Sequence, residues 1–283
     1  MSSFEPFSFL FMADCQLGCF ATFSGLTEAD VASYADRGMA VRAAPAADGF
    51  EWDADRLEQA IEAANRLSPD FVVMGGDMVD EPRDETQHEA VRRIVGGLEP
   101  PTTMYWVPGN HDAAFDTVVP TAQSLEAYRR RFGPDNYVFE HKDVTFLVCN
   151  TVVWDHPDRV TELWDAELGR LERELASAQR RGSAHTVVFG HHPLFTSHPG
   201  EYDSYWNIPG ERRRLLVDLL RTYDVRAMFA GHWHRNGGGT AGDLEMVVSG
   251  PVGYPLGSDP SGLRIVDVTA NGIEHRYVAL DEF

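Results

Sequence analysis

The chain has 283 residues, of which 43% are hydrophobic and 24% are charged. This composition is ordinary for a folded globular protein and argues against a chain dominated by disorder. Its length suits one large α/β domain, which we expect to span residues 1–283. The formal net charge of −20 argues against a nucleic-acid backbone or an anionic membrane as the main partner. A small anionic substrate is not excluded, because bound metal ions reverse the local electrostatic field.

Features of the N-terminus and the cysteines bear on location. Residues 1–13 lack a basic region, and a signal peptide there would remove the candidate functional residue Asp14. The three cysteines, Cys15, Cys19 and Cys149, are too few for a disulfide scaffold and fit free thiols in a reducing compartment. No apolar run in the sequence approaches the roughly 18 residues of a membrane helix. We therefore expect a cytoplasmic protein.

Short apolar runs alternate with amphipathic stretches along the chain. The runs that predict buried strands are residues 8–13, 71–75, 103–107, 144–149, 186–189 and 225–230. The stretches that predict helices are residues 54–67, 87–95, 122–132, 163–181 and 211–223, and Asp53 is placed to cap the first. Residues 245–248, 263–268 and 273–278 predict three further strands, the last two joined by an Asn-Gly turn at 271–272. The pattern predicts an α/β fold in which two sheets pack together with helices outside.

A long stretch without regular periodicity, residues 17–51, interrupts this alternation and carries scattered aromatic residues. A loop of that length inside a compact domain is often functional, so one interpretation is that it covers the functional site. The other interpretation is a surface insertion without a direct role. The sequence leaves both open.

Polar residues of the kinds that bind metals recur directly after the first, second, third, fifth and sixth predicted strands. Because the carboxyl ends of strands are where sites assemble in α/β sheets, we expect their side chains to lie together. Each alone is commonly a turn, cap or structural residue, but the recurrence after five strands is not explained that way. Carboxylate, amide and imidazole groups suit divalent ions such as Mn, Fe or Zn. The residues are Asp14, Gln16, Asp77, Asn110, His111, His191, His192, His232 and His234.

These clusters resemble the five motifs of the calcineurin-like metallophosphoesterases, in the order that the family has them. The stretch GHWHRNGGGT at 231–240 and the tail HRYVALDEF are similar to one subgroup, the phosphatases with Gln instead of His in the first motif. Its eukaryotic members are described as serine/threonine protein phosphatases. The resemblance implies a four-layer αββα sandwich, with two packed mixed sheets flanked by helices. The matching segments are Asp14-Cys15-Gln16, Gly76-Asp77-Met78-Val79-Asp80, Gly109-Asn110-His111-Asp112, Gly190-His191-His192 and Gly231-His232-Trp233-His234.

By position in these motifs, the resemblance implies two divalent metal ions, of Mn, Fe or Zn, bridged by Asp77. Gln16 stands where most family members have a histidine. Its amide oxygen would bind a metal, or a water on the metal, more weakly than an imidazole would. The implied ligands are Asp14, Gln16, Asp77 and His234 for the first ion, and Asp77, Asn110, His191 and His232 for the second.

Catalytic roles beside the ligands are implied by the resemblance for His111 and suggested by residue chemistry for its neighbours. Two ions roughly 3.5–4 Å apart would activate a bridging hydroxide for attack on a phosphate ester. His111 would be the proton donor, and Asp112 would either orient it or cap a turn. Asp80 would accept a hydrogen bond from a ligating histidine or close a turn. The predicted substrate contacts are His192, Arg235, Asn236 and Asn207, the last in a loop with Tyr205 and Trp206.

The predicted function is hydrolysis of a phosphomonoester, either a phosphoprotein carrying phosphoserine or phosphothreonine or a small phosphorylated metabolite. A phosphodiesterase acting on cyclic nucleotides or other diesters could use the same metals and stays open as an alternative. A metal-binding regulatory protein without catalysis is a third possibility, favoured only by Gln16. The intact His111 counts against it, because a protein that only binds metal needs no proton donor. The sequence does not indicate an oligomeric state.

Overall fold

The computed structural model describes residues 4–283, so residues 1–3 of the predicted domain lie outside the described residues. The strands are β1 (Phe7–Met12), β2 (Phe71–Met74), β3 (Thr103–Trp106), β4 (Tyr137–His141), β5 (Val144–Val148), β6 (His185–Phe189), β7 (Ala227–Ala230), β8 (Gly237–Ala241), β9 (Leu244–Val248), β10 (Gly262–Thr269) and β11 (Gly272–Ala279). The helices are α1 (Cys19–Thr22), α2 (Glu28–Asp36), α3 (Glu51–Leu67), α4 (Glu85–Val95), α5 (Asn110–Ala113), α6 (Ala122–Phe132), α7 (Thr151–Asp155), α8 (Thr161–Arg181) and α9 (Gly210–Thr222). A 3-10 turn over Leu280–Glu282 follows the last strand.

The strands form two mixed sheets. The first has five strands in the order β11-β10-β1-β2-β3, and the second has six in the order β4-β5-β6-β7-β9-β8. In the first sheet, β1 pairs parallel with β2 and antiparallel with β10. In the second, β6 pairs parallel with β5 and β7, whereas β4 runs antiparallel at the edge. Every strand and helix predicted from the sequence is present within three residues of its predicted bounds.

The sheets pack face to face because their central strands are apolar on both sides. Phe9 of β1 lies between the sheets, with its ring centroid 5.8 Å from those of Phe146 and Phe229 in the second sheet. The alternate residues face the helices: Leu10 packs with α3 and α4, and Val188 packs with α8 and α9. Burying such faces is the main favourable term in folding. The result is four layers in the order αββα, which confirms the predicted sandwich.

The predicted cap at Asp53 is wrong. Helix α3 begins at Glu51, and Asp53 lies inside its first turn. The buried Asp53 carboxylate accepts hydrogen bonds from the backbone N–H groups of Gly18 and Phe20, at 3.0 and 3.1 Å. In the same turn, the Trp52 ring stacks on that of Phe20, with centroids 4.8 Å apart. Asp53 therefore ties the segment 17–51 to the fold.

The segment 17–51 is less irregular than predicted, because it contains α1 and α2. A capping box between Thr27 and Asp30 caps the N-terminus of helix α2, and none of the helix residues is buried. A helix without a buried face has no apolar periodicity, so the sequence pattern did not reveal it. Aromatic side chains of the segment pack with residues from elsewhere into a small separate core, here named the cap cluster. Its members are Cys19, Phe20, Phe23, Leu26, Tyr34, Met39, Val41, Trp52, Trp206, Tyr254 and Leu256.

Strands β4 and β8 were not predicted, and both lie at edges of the second sheet. The β8 sequence, Gly-Gly-Gly-Thr-Ala, has no alternation of apolar and polar residues. Its backbone pairing with β9 alone defines it as a strand. No helix within residues 4–283 is both long and apolar enough to cross a membrane.

Glu167 of α8 is a buried carboxyl that makes stability depend on pH. Its Oε1 atom accepts a hydrogen bond from Asn136 at 3.1 Å. Burial, with Asp135 nearby, raises the pKa of Glu167 to about 8. Since the folded state holds a proton that the unfolded chain releases, this stabilisation is complete below the unfolded pKa and disappears as pH rises through about 8.

We expect Glu167→Gln to raise the free energy of unfolding at pH 9 by about 2–4 kcal/mol over the natural protein, with little difference at pH 4.5. Denaturant titrations at both pH values measure this difference. The exposed Glu172→Gln on the same helix is the matched control and should give no pH-dependent difference. An equal effect of Glu167→Gln at both pH values would contradict the assignment.

Candidate metal centre

The carboxyl ends of β1, β2, β3, β6 and β7 meet at one edge of the sandwich, and the loops that follow them carry the predicted ligands. These loops are joined by backbone hydrogen bonds, among them Gln16 N to Asp77 O at 2.8 Å and Gly231 N to His191 O at 3.0 Å. All the predicted ligands are buried there, namely Asp14, Gln16, Asp77, Asn110, His191, His232 and His234.

The middle of the centre is formed by Asp77, His191 and His232. One ligand atom from each lies within 4.8 Å of the others. Asp77 Oδ2 is 3.1 Å from His191 Nε2. On the other side, Asp14 Oδ1 is 3.5 Å from His234 Nε2 and 3.9 Å from His191 Nδ1. The carboxylates of Asp14 and Asp77 thus lie on either side of His191.

Each of the three histidines has one ring nitrogen held by a backbone carbonyl. His191 Nδ1 is 2.9 Å from the carbonyl oxygen of Gly75. His232 Nε2 is 2.9 Å from that of Tyr205, and His234 Nδ1 is 2.6 Å from that of Tyr254. A carbonyl can only accept, so the nitrogen facing it carries the proton. The other nitrogen of each ring is the atom left to bind a metal ion, once it carries no proton.

Hydrogen bonds also orient the amide side chains of Gln16 and Asn110. Gln16 Nε2 donates to Asp80 Oδ1 at 2.9 Å, and Asn110 Nδ2 donates to the carbonyl of Thr117 at 2.7 Å. Their oxygens, Gln16 Oε1 and Asn110 Oδ1, are buried and have no hydrogen-bond partner among the described residues. A buried acceptor without a partner is unfavourable, and a bound cation would supply one. The donor set therefore fits divalent metal ions.

The backbone at the centre is strained, which is common where function fixes a conformation. A left-handed conformation of a residue other than glycine is unfavourable by roughly 1–2 kcal/mol. Close approach of the loops also requires glycine at two positions: a Cβ atom on Gly109 would lie 2.1 Å from Asp77 Oδ1, and one on Gly231 would lie 2.4 Å from Asp14 Oδ2. The ligands with positive φ are Asp14 (53°), Gln16 (33°), Asp77 (53°), His232 (67°) and His234 (52°).

The electrostatics differ between the ligand groups. Burial alone would lower the pKa of His191, but Asp77 raises it to about 9, so a metal ion would displace a proton from this ring. Burial, together with the neighbouring His191, lowers the pKa of His232 to about 3, so its imidazole is neutral at pH 7. Burial alone would raise the pKa of Asp77, but His191 and His111 lower it well below its usual range. A neutral imidazole and an ionised carboxylate are the forms in which these groups coordinate a cation.

His111 lies beside the ligands. Its backbone N–H donates to Asp77 Oδ1 at 2.8 Å, and its ring Nδ1 is 2.6 Å from the Asp80 carbonyl oxygen. Asp80 was predicted to accept a bond from a ligating histidine, and this is wrong. Its side chain accepts instead from Gln16 Nε2 and from the Thr22 hydroxyl. Asp80 therefore links the first motif, the cap segment and His111.

The prediction that Asp112 orients the His111 ring is also wrong. The buried Asp112 carboxylate accepts from the backbone N–H groups of Asp77, Met78 and Gly109, at 2.7, 2.9 and 3.0 Å. The bond from Gly109 caps the first turn of α5, in agreement with the alternative prediction. Burial and the nearby Asp77 raise the pKa of Asp112 to about 7. Asp112 thus fixes the loop that carries Asp77.

A cavity of about 190 Å³ adjoins the centre. Its polar part is formed by predicted ligands together with His111, Asp80 and Thr22. Its remaining wall comes from the segment 17–51, the loop 201–207 and Leu256. The segment therefore lies beside the site, as one of the two interpretations expected.

None of the four predicted substrate residues is among the described residues that line this cavity. The Asn207 amide is used inside its own loop, where Nδ2 donates to Glu201 and Oδ1 accepts from Ser204. His192 is buried behind the site, with its ring centroid 4.3 Å from that of His232. Of the loop Tyr205-Trp206-Asn207, only the two aromatic residues reach the cavity.

Arg235 and Asn236 are likewise committed to structural contacts. The Arg235 guanidinium donates to the carbonyl of Leu256, at 2.8 Å from Nε, and to that of Gly38. Asn236 Oδ1 accepts from the N–H of Gly250 at 3.1 Å and from Arg264. These contacts hold both side chains in place, and neither lines the cavity beside the centre.

Two residues of the centre were missed by the sequence analysis. The Tyr254 carbonyl holds His234, and the Thr151 hydroxyl accepts from the backbone N–H of His191 at 2.9 Å. A role played by a backbone carbonyl carries no residue signature. A single threonine that accepts hydrogen bonds from a distant loop carries none either.

The chain is similar in sequence and in fold to known phosphoesterases. The family model described as calcineurin-like phosphoesterase matches residues 7–236. The serine/threonine-protein phosphatase CPPED1 of Homo sapiens is 36% identical over 98% of this chain and 85% of its own. A cAMP/cGMP dual specificity phosphodiesterase of Mycobacterium tuberculosis is 30% identical over 64% of this chain and 54% of its own. A solved dimetal phosphatase from Danio rerio shares the fold, with a TM-score of 0.59 and 15% identity over 98% of this chain and 100% of its own.

All five motifs fall within the matched residues, and the high coverage of a phosphatase relative confirms the predicted resemblance and the enzyme class. A divalent metal centre follows from the family and from the ligand cluster around Asp77. This chain belongs to the calcineurin-like phosphoesterase family and is a metal-dependent hydrolase of phosphoric esters.

Proposed function

We propose that this hydrolase acts on phosphomonoesters and holds two divalent metal ions at the centre described above. The observation that carries the proposal is the donor set itself. Carboxylates, imidazoles and the partnerless amide oxygens of Gln16 and Asn110 converge at one edge of the sandwich. The first ion would be held by Asp14, Gln16, Asp77 and His234, and the second by Asp77, Asn110, His191 and His232.

Bound divalent ions would neutralise phosphate charge and lower the pKa of a water molecule that attacks phosphorus. The chain's own residues fix the geometry and move the proton. Asp112 holds the backbone of Asp77 through its N–H group. The Asp80 carbonyl holds His111 at Nδ1, so Nε2 is the atom we assign to protonate the departing oxygen.

Two classes of monoester substrate fit this assignment. A phosphoserine or phosphothreonine protein is supported by the name of the human relative and by the coverage of its match. A small phosphorylated metabolite suits the cavity of about 190 Å³ equally well. A panel of phosphopeptides, sugar phosphates and nucleotides, assayed for phosphate release, distinguishes the two classes.

A phosphodiesterase is the second candidate, favoured by the similarity to the mycobacterial cyclic-nucleotide phosphodiesterase. The discriminating assay compares p-nitrophenyl phosphate with bis-p-nitrophenyl phosphate on protein loaded with Mn, Fe or Zn. We expect kcat/KM to be higher for the monoester. Higher turnover of the diester would favour the second candidate, and no turnover of either ester with any of these metals would contradict both.

Gln16 should influence which metal occupies the first position. An amide oxygen suits hard ions such as Mn, whereas an imidazole suits Zn and Fe. We expect Gln16→His to raise the ratio of Zn to Mn affinity by about tenfold. Calorimetric titration of chelator-stripped protein measures this ratio, with the exposed Gln123→His as control. An unchanged ratio would show that residue 16 does not contact the ion.

A further inference from the structure

The cavity beside the metal centre has one polar end and one apolar end. The polar end holds the candidate ligands and His111. The apolar end is formed by Phe23, Met39, Trp206 and Leu256. The two ends are continuous, because the Trp206 ring packs on His232 with centroids 5.6 Å apart. A phosphate at the ligands would therefore place its organic group against the apolar wall.

The apolar wall is built into the fold. Phe23 stacks on Tyr254 with ring centroids 5.7 Å apart, and the Tyr254 carbonyl holds the candidate ligand His234. The Leu256 carbonyl accepts from the backbone N–H of Ala40 at 3.0 Å, and Arg235 joins Leu256 to Gly38. The wall is thus fixed to the same loops that carry the centre.

The side chains of the apolar end carry no charge of their own. No lysine or arginine lines the cavity among residues 4–283. The acidic side chain of Asp80 also lines the cavity, and its two oxygens accept hydrogen bonds from Gln16 and from the Thr22 hydroxyl. An anionic group placed against Phe23 and Met39 would lose hydration without gaining a partner, and a cationic group would gain only the faces of the Phe23 and Trp206 rings in exchange for its hydration.

We propose that this apolar end is the leaving-group subsite, and that it selects phosphomonoesters whose alcohol carries an uncharged apolar group. The proposal rests on the proposed phosphomonoesterase function and deepens it by naming the substrate class. The affinity comes from apolar area removed from water against Phe23, Met39, Trp206 and Leu256. Each methylene that is fully buried there should raise kcat/KM about fourfold.

Three phosphates of primary alcohols test the subsite on the metal-loaded protein: ethyl phosphate, 3,3-dimethylbutyl phosphate and phosphocholine. The last two have the same shape and differ only in the charge of the quaternary atom. We expect kcat/KM for dimethylbutyl phosphate to exceed that for ethyl phosphate by at least about tenfold. It should also exceed that for phosphocholine, although choline is the better leaving group.

Variants of Met39 test whether the preference for the dimethylbutyl group arises from the apolar wall. Met39→Gln replaces an apolar side chain with a polar one of similar length, and should lower the ratio of dimethylbutyl to ethyl turnover at least threefold. Met39→Leu should preserve the ratio. Leu67→Gln, at an exposed site on α3, controls for surface changes and should also leave it unaltered.

Two outcomes would overturn the proposal: equal kcat/KM for ethyl and dimethylbutyl phosphate, or a preference for phosphocholine, which would indicate a cation site. An unchanged ratio of dimethylbutyl to ethyl phosphate turnover in Met39→Gln would also overturn the proposal. Failure of the proposed function would look different, because then ethyl phosphate and p-nitrophenyl phosphate would not be hydrolysed at all.

Discussion

Replacing Asp77 with asparagine is expected to lower kcat/KM for p-nitrophenyl phosphate by at least about 10³-fold and to reduce metal content together with it. Asp77 is the one carboxylate assigned to both ions. Its Oδ2 atom lies 3.1 Å from His191, and its Oδ1 atom accepts the backbone N–H of His111. Asparagine keeps the shape but removes the charge, so coordination weakens while the fold is retained.

Activity assays and elemental analysis of the purified Asp77→Asn variant measure both effects. Asp267→Asn is the matched control, because Asp267 is paired with Arg276 at 3.1 Å on the sheet surface, away from the centre. It should retain the activity and the metal content of the natural protein. Activity of Asp77→Asn within tenfold of that level, with metal still bound, would remove Asp77 from the bridging role.

The variant His111→Ala should retain bound metal and lose activity mainly toward esters of basic alcohols. General acid catalysis typically contributes 10²–10⁴-fold, and we expect a loss of that order for alkyl phosphates. The loss for p-nitrophenyl phosphate should be much smaller, because nitrophenolate leaves without needing a proton. The Nδ1 atom faces the Asp80 carbonyl at 2.6 Å, which leaves Nε2 for this role, and Nε2 lies 3.3 Å from the Gln16 amide nitrogen.

Comparing kcat/KM of the two ester classes, with metal content measured on the same preparation, checks the His111 prediction. The exposed His198→Ala provides a histidine control and should alter neither quantity. A collapse of metal content in His111→Ala would mean that His111 holds the centre together. An equal loss for both ester classes would exclude it as the proton donor.

The sandwich was predictable because its central strands are apolar and end at metal-binding residue types. The run 71–75 followed by Asp77, for example, specified both a buried strand and a ligand position. The features that were missed lack such a signal. Helix α2 buries none of its residues, and the glycine-rich β8 shows no alternation. Asp53 looked like a cap, but its partners, Gly18 and Phe20, lie in a distant loop.

The site residues also divide into those that the sequence predicted and those that it did not. Ligand types after strands could be recognised one motif at a time, and the structure brings them together. The hydrogen-bond partners of these residues could not be recognised from the sequence, because they lie on loops that meet only in the folded protein. Asp112 binds the backbone of Asp77 and Met78 rather than its neighbour His111. Arg235, next to a candidate ligand, is used to join Leu256 to Gly38.

Hydrolysis is expected to depend on two divalent ions at the centre around Asp77. The most direct test is titration of chelator-stripped protein with Mn, Fe or Zn, following bound metal and phosphate release in the same samples. We predict two ions bound per chain, negligible activity without metal, and activity that rises as the second ion binds. Full activity in metal-free protein, or the absence of saturable metal binding, would contradict the account.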